Sequence, residues 1–279
     1  MRLHKNPFLG HPFGMRIPRY PVVLVHGIGY RDNLPLISYW GRIPAALRRH
    51  GIPVYVSTIE AWAACASNAA ALGKELDAVI DKSGGGKVNL IAHSKGGLDA
   101  RFLISRLGYG ERVASLTTVG TPHRGSALAD YVVTGFRRFR KQYGALLHIF
   151  ARLFGDRSPD CSRTLDGLTV AAMKEFNRAV PDDDRVFYQS LAGSLKNGVD
   201  DPLFYLPYRL LVRREGPNDG LVSVASAAWG HIRTVMGNGK GGRGLSHLEI
   251  TDFKRRTIAG FRVSQIYVEM AGELAERGF

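Results

Sequence analysis

Val88-Asn-Leu-Ile-Ala-His93 runs without a break into Ser94-Lys-Gly-Gly-Leu-Asp-Ala-Arg101. The first six residues are apolar enough to read as a strand buried on both faces, and Gly97 to Leu107 reads as a helix. Between them, Ala92-His93-Ser94-Lys95-Gly96 must turn sharply from strand to helix. Such a turn holds its serine in a strained backbone conformation with the hydroxyl projecting outward, and it demands small residues two positions before and two after. Ala92 and Gly96 meet that demand, with alanine standing where glycine is usual.

Working outward, Pro21-Val-Val-Leu-Val-His26 repeats the pattern of an apolar run followed by a glycine turn. Val54 to Ile59, Leu116 to Val119, Val186 to Leu191 and Ile232 to Met236 read as further strands. Pro44 to His50 and Ala66 to Asp81 read as helices between them, and Asp252 to Arg277 as one long closing helix. Alternating strands and helices predict an α/β fold with a mostly parallel central sheet flanked by helices. The whole chain, 1–279, is expected to form one domain, with residues 127–156 as an insertion. There Val132, Phe136, Phe139, Tyr143, Leu146, Phe150 and Leu153 recur three or four apart, with Arg137, Arg138, Lys141, His148 and Arg152 between them. That spacing predicts a basic amphipathic helix or helix pair.

Composition narrows the function classes. Hydrophobic residues at 45% and charged ones at 22% exclude wholesale disorder. No apolar run reaches the roughly 18 residues of a membrane-spanning helix. Met1 to Pro21, broken by four prolines, shows no apolar signal region, so a cytoplasmic location is expected. Cys65 and Cys161 allow at most one disulfide, and free thiols are expected. A net charge of +14 favours anionic surfaces. No helix-turn-helix, zinc or RNA-binding pattern accompanies it, so no nucleic-acid partner is expected; the sequence leaves the oligomeric state open.

A serine hydroxyl is a weak nucleophile at neutral pH and needs a histidine base oriented by an acid. For a strand-turn-helix serine the order along the chain is serine, acid, histidine. His231 opens the last predicted strand, whereas His247 follows it in a loop that can reach back over the sheet edge, and His247 is preferred. Asp219 lies in the turn-forming segment Gly216-Pro-Asn-Asp-Gly-Leu-Val-Ser223, with Asp200, Asp201 and Glu215 as competitors. An oxyanion needs two preorganised N–H donors. Lys95 supplies one, and the turn His26-Gly-Ile-Gly29 supplies the other, assigned to Ile28.

Together, Pro21-Val-Val-Leu-Val-His-Gly27, Ala92-His-Ser-Lys-Gly-Gly-Leu-Asp-Ala-Arg101, Val119-Gly-Thr-Pro-His-Arg-Gly-Ser126, Asn218-Asp-Gly-Leu-Val222 and Ser246-His-Leu248 resemble the bacterial triacylglycerol lipases of the α/β-hydrolase superfamily. The resemblance implies Ser94, Asp219 and His247 as triad, Ile28 and Lys95 as oxyanion donors, and a structural role for His123. It implies a serine carboxylic ester hydrolase, a lipase or lipase-like esterase acting on acylglycerols or other esters. Thioesters and polyesters are alternative substrates for the same machinery, and an inactive membrane-binding module is the rival of another class. The insertion 127–156 is expected to act as a lid at lipid surfaces, with Phe136, Phe139, Tyr143 and Phe150 on its substrate side; a fixed cap is the alternative. Hydrolysis needs no cofactor. Many such lipases hold a structural calcium, for which Asp201 and Glu249 are weak candidates here, glutamate standing where aspartate is usual.

Overall fold

The computed structural model describes residues 16–29, 38–135, 148–149, 151–153, 155–157, 159–235, 242–258 and 261–279. Six strands form one sheet: β1 (Val22–Val25), β2 (Val54–Val56), β3 (Val88–His93), β4 (Val113–Val119), β5 (Phe187–Gly193) and β6 (His231–Val235). Every neighbouring pair is parallel, in the order β2-β1-β3-β4-β5-β6. The helices that cover it are α1 (Ile43–Arg49), α2 (Cys65–Lys82), α3 (Lys95–Arg106), α4 (Ala127–Gly135), α5 (Cys161–Asp166), α6 (Val170–Ala179), α7 (Tyr205–Arg214), α8 (Val224–Ala227) and α9 (Val263–Glu276).

Side chains alternate across a strand, so a sheet buried on both faces builds two cores. Val22 and Leu24 of β1 join Trp40, Ile43 and Leu47 of the α1 side with Ile266, Tyr267 and Met270 of α9. Val23 and Val25 join Leu72 and Leu76 of α2 with Leu103 and Ile104 of α3 on the opposite face. Each such side chain contributes roughly 1.5–3 kcal/mol on burial, which favours this register over any one-residue slip.

The strand order fixes where the site lies. From β1 the chain steps outward to β2, then returns to place β3 on the other side of β1. Connections therefore diverge between the C-terminal ends of β1 and β3, the position where open α/β sheets leave a crevice. The two glycine turns read from the sequence stand side by side there.

Two expectations need correction. The closing helix does not begin at Asp252: Glu249–Thr251 is a short 3-10 turn, Asp252 and Arg255 have φ of 57° and 48°, and α9 starts only at Val263. Asp252 leaves the helical conformation because its carboxylate is held by the Arg42 backbone N–H at 2.8 Å and by Arg42 Nε and Nη2 at 2.7 and 2.6 Å. Strand β2 ends at Val56, beyond which the Ser57 and Thr58 hydroxyls donate to Glu75 of α2 at 2.5 and 2.9 Å. Helices α5, α6 and α7 lie outside the segments whose periodicity predicts helices, although Asp160 and Thr169 cap the first two in the ordinary way. Of the insertion, α4 opens it, whereas Phe136, Phe139, Tyr143 and Phe150 lie outside the described residues.

Candidate active site

Ser94 follows β3 and precedes α3 with φ 52° and ψ −130°, a conformation that side chains rarely adopt. Its N–H donates to Val119 O at 2.8 Å, so the turn is tied to β4 as well. The demand for small residues is met to the ångström. A Cβ on Gly96 would stand 2.3 Å from His26 O, and one on Gly27 would stand 2.7 Å from Ser94 Cβ. Gly27 and Gly96 therefore let the β1 turn close directly onto the serine.

The Gly27 N–H donates to Tyr39 Oη at 3.0 Å, and that hydroxyl also bonds His93 Nδ1 at 2.7 Å. With Gly27 committed, the next N–H, that of Ile28, is the one available at this turn, and among the described residues it has no acceptor. Trp62 Nε1 donates to Gly29 O at 3.2 Å and fixes the far side of the turn. Lys95 is the first residue of α3, so its N–H lies among the unpaired donors at the positive end of a helix. Its side chain is turned away into a buried ion pair with Asp99, Nζ lying 2.8 and 2.9 Å from the two carboxylate oxygens, and Asn68 donates to the same carboxylate at 2.9 Å.

The residues read as acid and base lie together. His247 Nδ1 lies 2.7 Å from Asp219 Oδ2, and the His247 N–H donates to Asp219 O at 2.9 Å. Asp219 Oδ1 accepts the Leu221 and Val222 N–H groups at 2.9 and 2.8 Å, so the carboxylate has one orientation left. The imidazole sits over the serine turn: its ring is 4.5 Å from that of His93, and both His247 and Asp219 crowd Gly120, the residue after β4. No hydrogen bond joins Ser94 Oγ to His247 Nε2, and serine–histidine contacts of this kind commonly tighten only with substrate.

The competitors are placed elsewhere. His231 is exposed at the N-terminal end of β6, the opposite edge of a parallel sheet from Ser94. Glu215 accepts from the Ala127 N–H and the Ser223 hydroxyl at 2.5 Å each, tying α4 to the acid loop. Asp200 caps a 3-10 turn with Asn197. His123 is buried, bonded to Thr118 Oγ1 at 2.9 Å and stacked on Trp229, so it secures the loop after β4 as the resemblance implied. Burial pushes both thiols up, Cys161 to about 11, which makes neither a ready nucleophile.

Asp201 and Glu249 are both buried and flank His247, yet they do not fit a calcium ion. Asp201 Oδ2 is 2.5 Å from Lys254 Nζ and 2.6 Å from Ser246 Oγ, and both oxygens of Glu249 accept from Arg243 Nη2 at 2.8 and 3.0 Å. Cations already occupy the oxygens that a hard divalent ion would need. Among the described residues no group of three or more His, Cys, Asp or Glu gathers as a ligand set.

Sequence reasoning missed the supports. Tyr39 and Trp62 carry no motif, and their roles arise only from the fold. Asp156, at the end of the insertion, accepts the Ala61 and Trp62 N–H groups at 2.7 Å each, while burial raises its carboxyl to about 6. Ala151 and Trp62 share a buried cluster against which Ile28 packs, so the described end of the insertion rests on the turn after β1.

Comparison with known proteins gives a consistent picture. Residues 21–153 match the palmitoyl protein thioesterase family model. Triacylglycerol lipase 2 of Saccharomyces cerevisiae is 31% identical over 267 residues, covering 88% of this chain and 76% of the relative. The triacylglycerol lipase of Vibrio cholerae is 31% identical over 77% of this chain and 75% of its own length. Among solved structures, the mature Bacillus licheniformis lipase BlEst2 superposes with TM-score 0.67 at 22% identity over 94% of both chains. A metagenomic carboxyl esterase gives TM-score 0.73 at 19% identity, covering 99% of this chain and 82% of its own. Both are likenesses of fold.

Proposed function

The chain belongs to the triacylglycerol lipase family of α/β-hydrolases and is a carboxylic ester hydrolase, and from that premise we propose that Ser94, His247 and Asp219 carry the reaction. Ser94 Oγ attacks the ester carbonyl while His247 Nε2 takes its proton. Asp219 holds Nδ1–H and stabilises the imidazolium that forms. The Ile28 and Lys95 N–H groups receive the oxyanion at the positive end of α3. His247 then returns the proton to the leaving alcohol, and water, activated by the same imidazole, cleaves the acyl-enzyme. The observation that carries the reading is the 2.7 Å His247–Asp219 contact placed over the strained Ser94 turn. Hydrolysis of p-nitrophenyl esters over a range of chain lengths, with Ser94→Ala alongside, tests it.

The substrate is an ester of lipid character. Tyr131 of α4, Ile149 and Leu153 are exposed apolar side chains of the insertion, the last at 77%, and such groups suit contact with a lipid surface. The match of residues 21–153 to the thioesterase model favours a second reading, a long-chain acyl thioester. Parallel kcat/KM series on oxygen and sulfur esters of one acyl chain separate the two.

A further inference from the structure

The residue immediately before the proposed base is held from several directions. Ser246 donates its hydroxyl to Asp201 Oδ2 at 2.6 Å, donates its N–H to Glu249 Oε2 at 3.2 Å, and accepts the Glu249 N–H on its hydroxyl at 3.3 Å. Both carboxylates are nearly inaccessible, with side-chain exposures of 2% and 1%. Two buried carboxylates converging on one serine repel each other and cost much to desolvate unless compensated. Compensation comes from two different parts of the chain. Lys254 reaches Asp201 from the turn after Thr251, and Arg243 reaches Glu249 from the segment that follows β6. Arg243 also donates to Asp200 O, and the Gly244 N–H donates to Asp200 Oδ2 at 3.0 Å. The turn carrying Lys254 is itself anchored through Asp252 to Arg42.

We propose that Lys254 and Arg243 are positioning residues that clamp the His247 loop with two side-chain positive charges. The two carboxylates are neutralised internally, so the loop keeps its position without a metal ion. A lysine ammonium and an arginine Nη2 group offer fixed short bonds to Asp201 and Glu249, which in turn hold Ser246 and thereby the imidazole one residue on. Removing one cation leaves a buried uncompensated carboxylate beside His247 and shifts the base relative to Ser94. The effect falls on the chemical step, because the clamp acts through Ser246 on the adjacent His247.

The proposal rests on His247 as the base. Steady-state kinetics with a soluble ester are measured for wild type, His247→Ala, Lys254→Met, Lys254→Arg and Arg243→Gln, and melting temperatures are measured with millimolar calcium chloride or with EDTA. Wild-type turnover and melting temperature should be the same in both media. Lys254→Met and Arg243→Gln should lower kcat by up to about 100-fold, the cost of a misplacement near 1 Å, with KM little changed, and Lys254→Arg should recover most of the loss. Wild-type enzyme that loses turnover in EDTA and regains it with calcium overturns the proposal. So do a Lys254→Met and an Arg243→Gln that both keep full kcat while His247→Ala is inactive. An active His247→Ala instead overturns the assignment of the base, so the two failures are distinct.

Discussion

Ser94 is held by forces that a substitution cannot share out. The strained φ and ψ of its backbone cost of order 1–3 kcal/mol, offset by the Val119 hydrogen bond and by α3 beginning at the next residue. Ser94→Ala should therefore fold normally and lose ester turnover by several orders of magnitude, with circular dichroism unchanged. Asp219→Asn should cost on the order of 10⁴-fold, since an amide leaves the imidazole in the wrong tautomer. His231→Ala should be silent, and a large loss there would move the base to the other edge of the sheet. Gly96→Ala is expected to differ from all of these. Its methyl would meet His26 O at 2.3 Å, so both melting temperature and turnover should fall, and a thermal scan shows it directly.

At the scale of elements, what was legible in the sequence was what is local. The elbow, the β1 turn and the Asn218–Val222 turn each carry their chemistry within a few residues, so their types and spacing could be read. Tyr39, Trp62 and Asp156 could not, because each acts through a backbone group far away in the chain: Gly27, Gly29 and Ala61. The end of helical structure at Asp252 was equally hidden, since the partner that draws it into the left-handed region is Arg42. The insertion joins both cases. Its periodicity is local, but its anchoring to Trp62 through Asp156 and to the turn after β1 through Ala151 is not. Ile149 and Leu153 are exposed, so Ile149→Ser and Leu153→Ser should leave the melting temperature within about 1 °C, as surface changes do. They should lower activity on emulsified long-chain esters and spare dissolved short-chain ones. Equal loss on both, with a drop in melting temperature, would make the insertion a fixed cap.

The whole molecule responds to acid through groups that the fold keeps neutral. His93 is enclosed, with its ordinary titration pushed far down by burial and by the nearby His247. His123 is shifted the same way by burial, Arg101 and Arg124, and Arg101 lies 3.8 Å over the Trp229 ring that stacks on it. In the unfolded chain both imidazoles titrate near 6.5. Each therefore contributes stability that is present above that pH and is lost as pH falls below it, by about 1.4 kcal/mol per pH unit for each proton that only the unfolded chain binds. Asp156 has the opposite sign: its carboxyl is raised to about 6, so its contribution is complete below the usual carboxylate range and is lost as pH rises through 6. Two groups against one leave a net loss toward acid. The urea midpoint should fall between about pH 7 and pH 5, and His123→Gln, though less stable at neutral pH, should show well under half the slope, because the one remaining histidine is then largely offset by Asp156. A midpoint independent of pH over that range would mean that the enclosed histidines accept protons in the folded protein, and the packing of His93 against the proposed base would have to be redrawn.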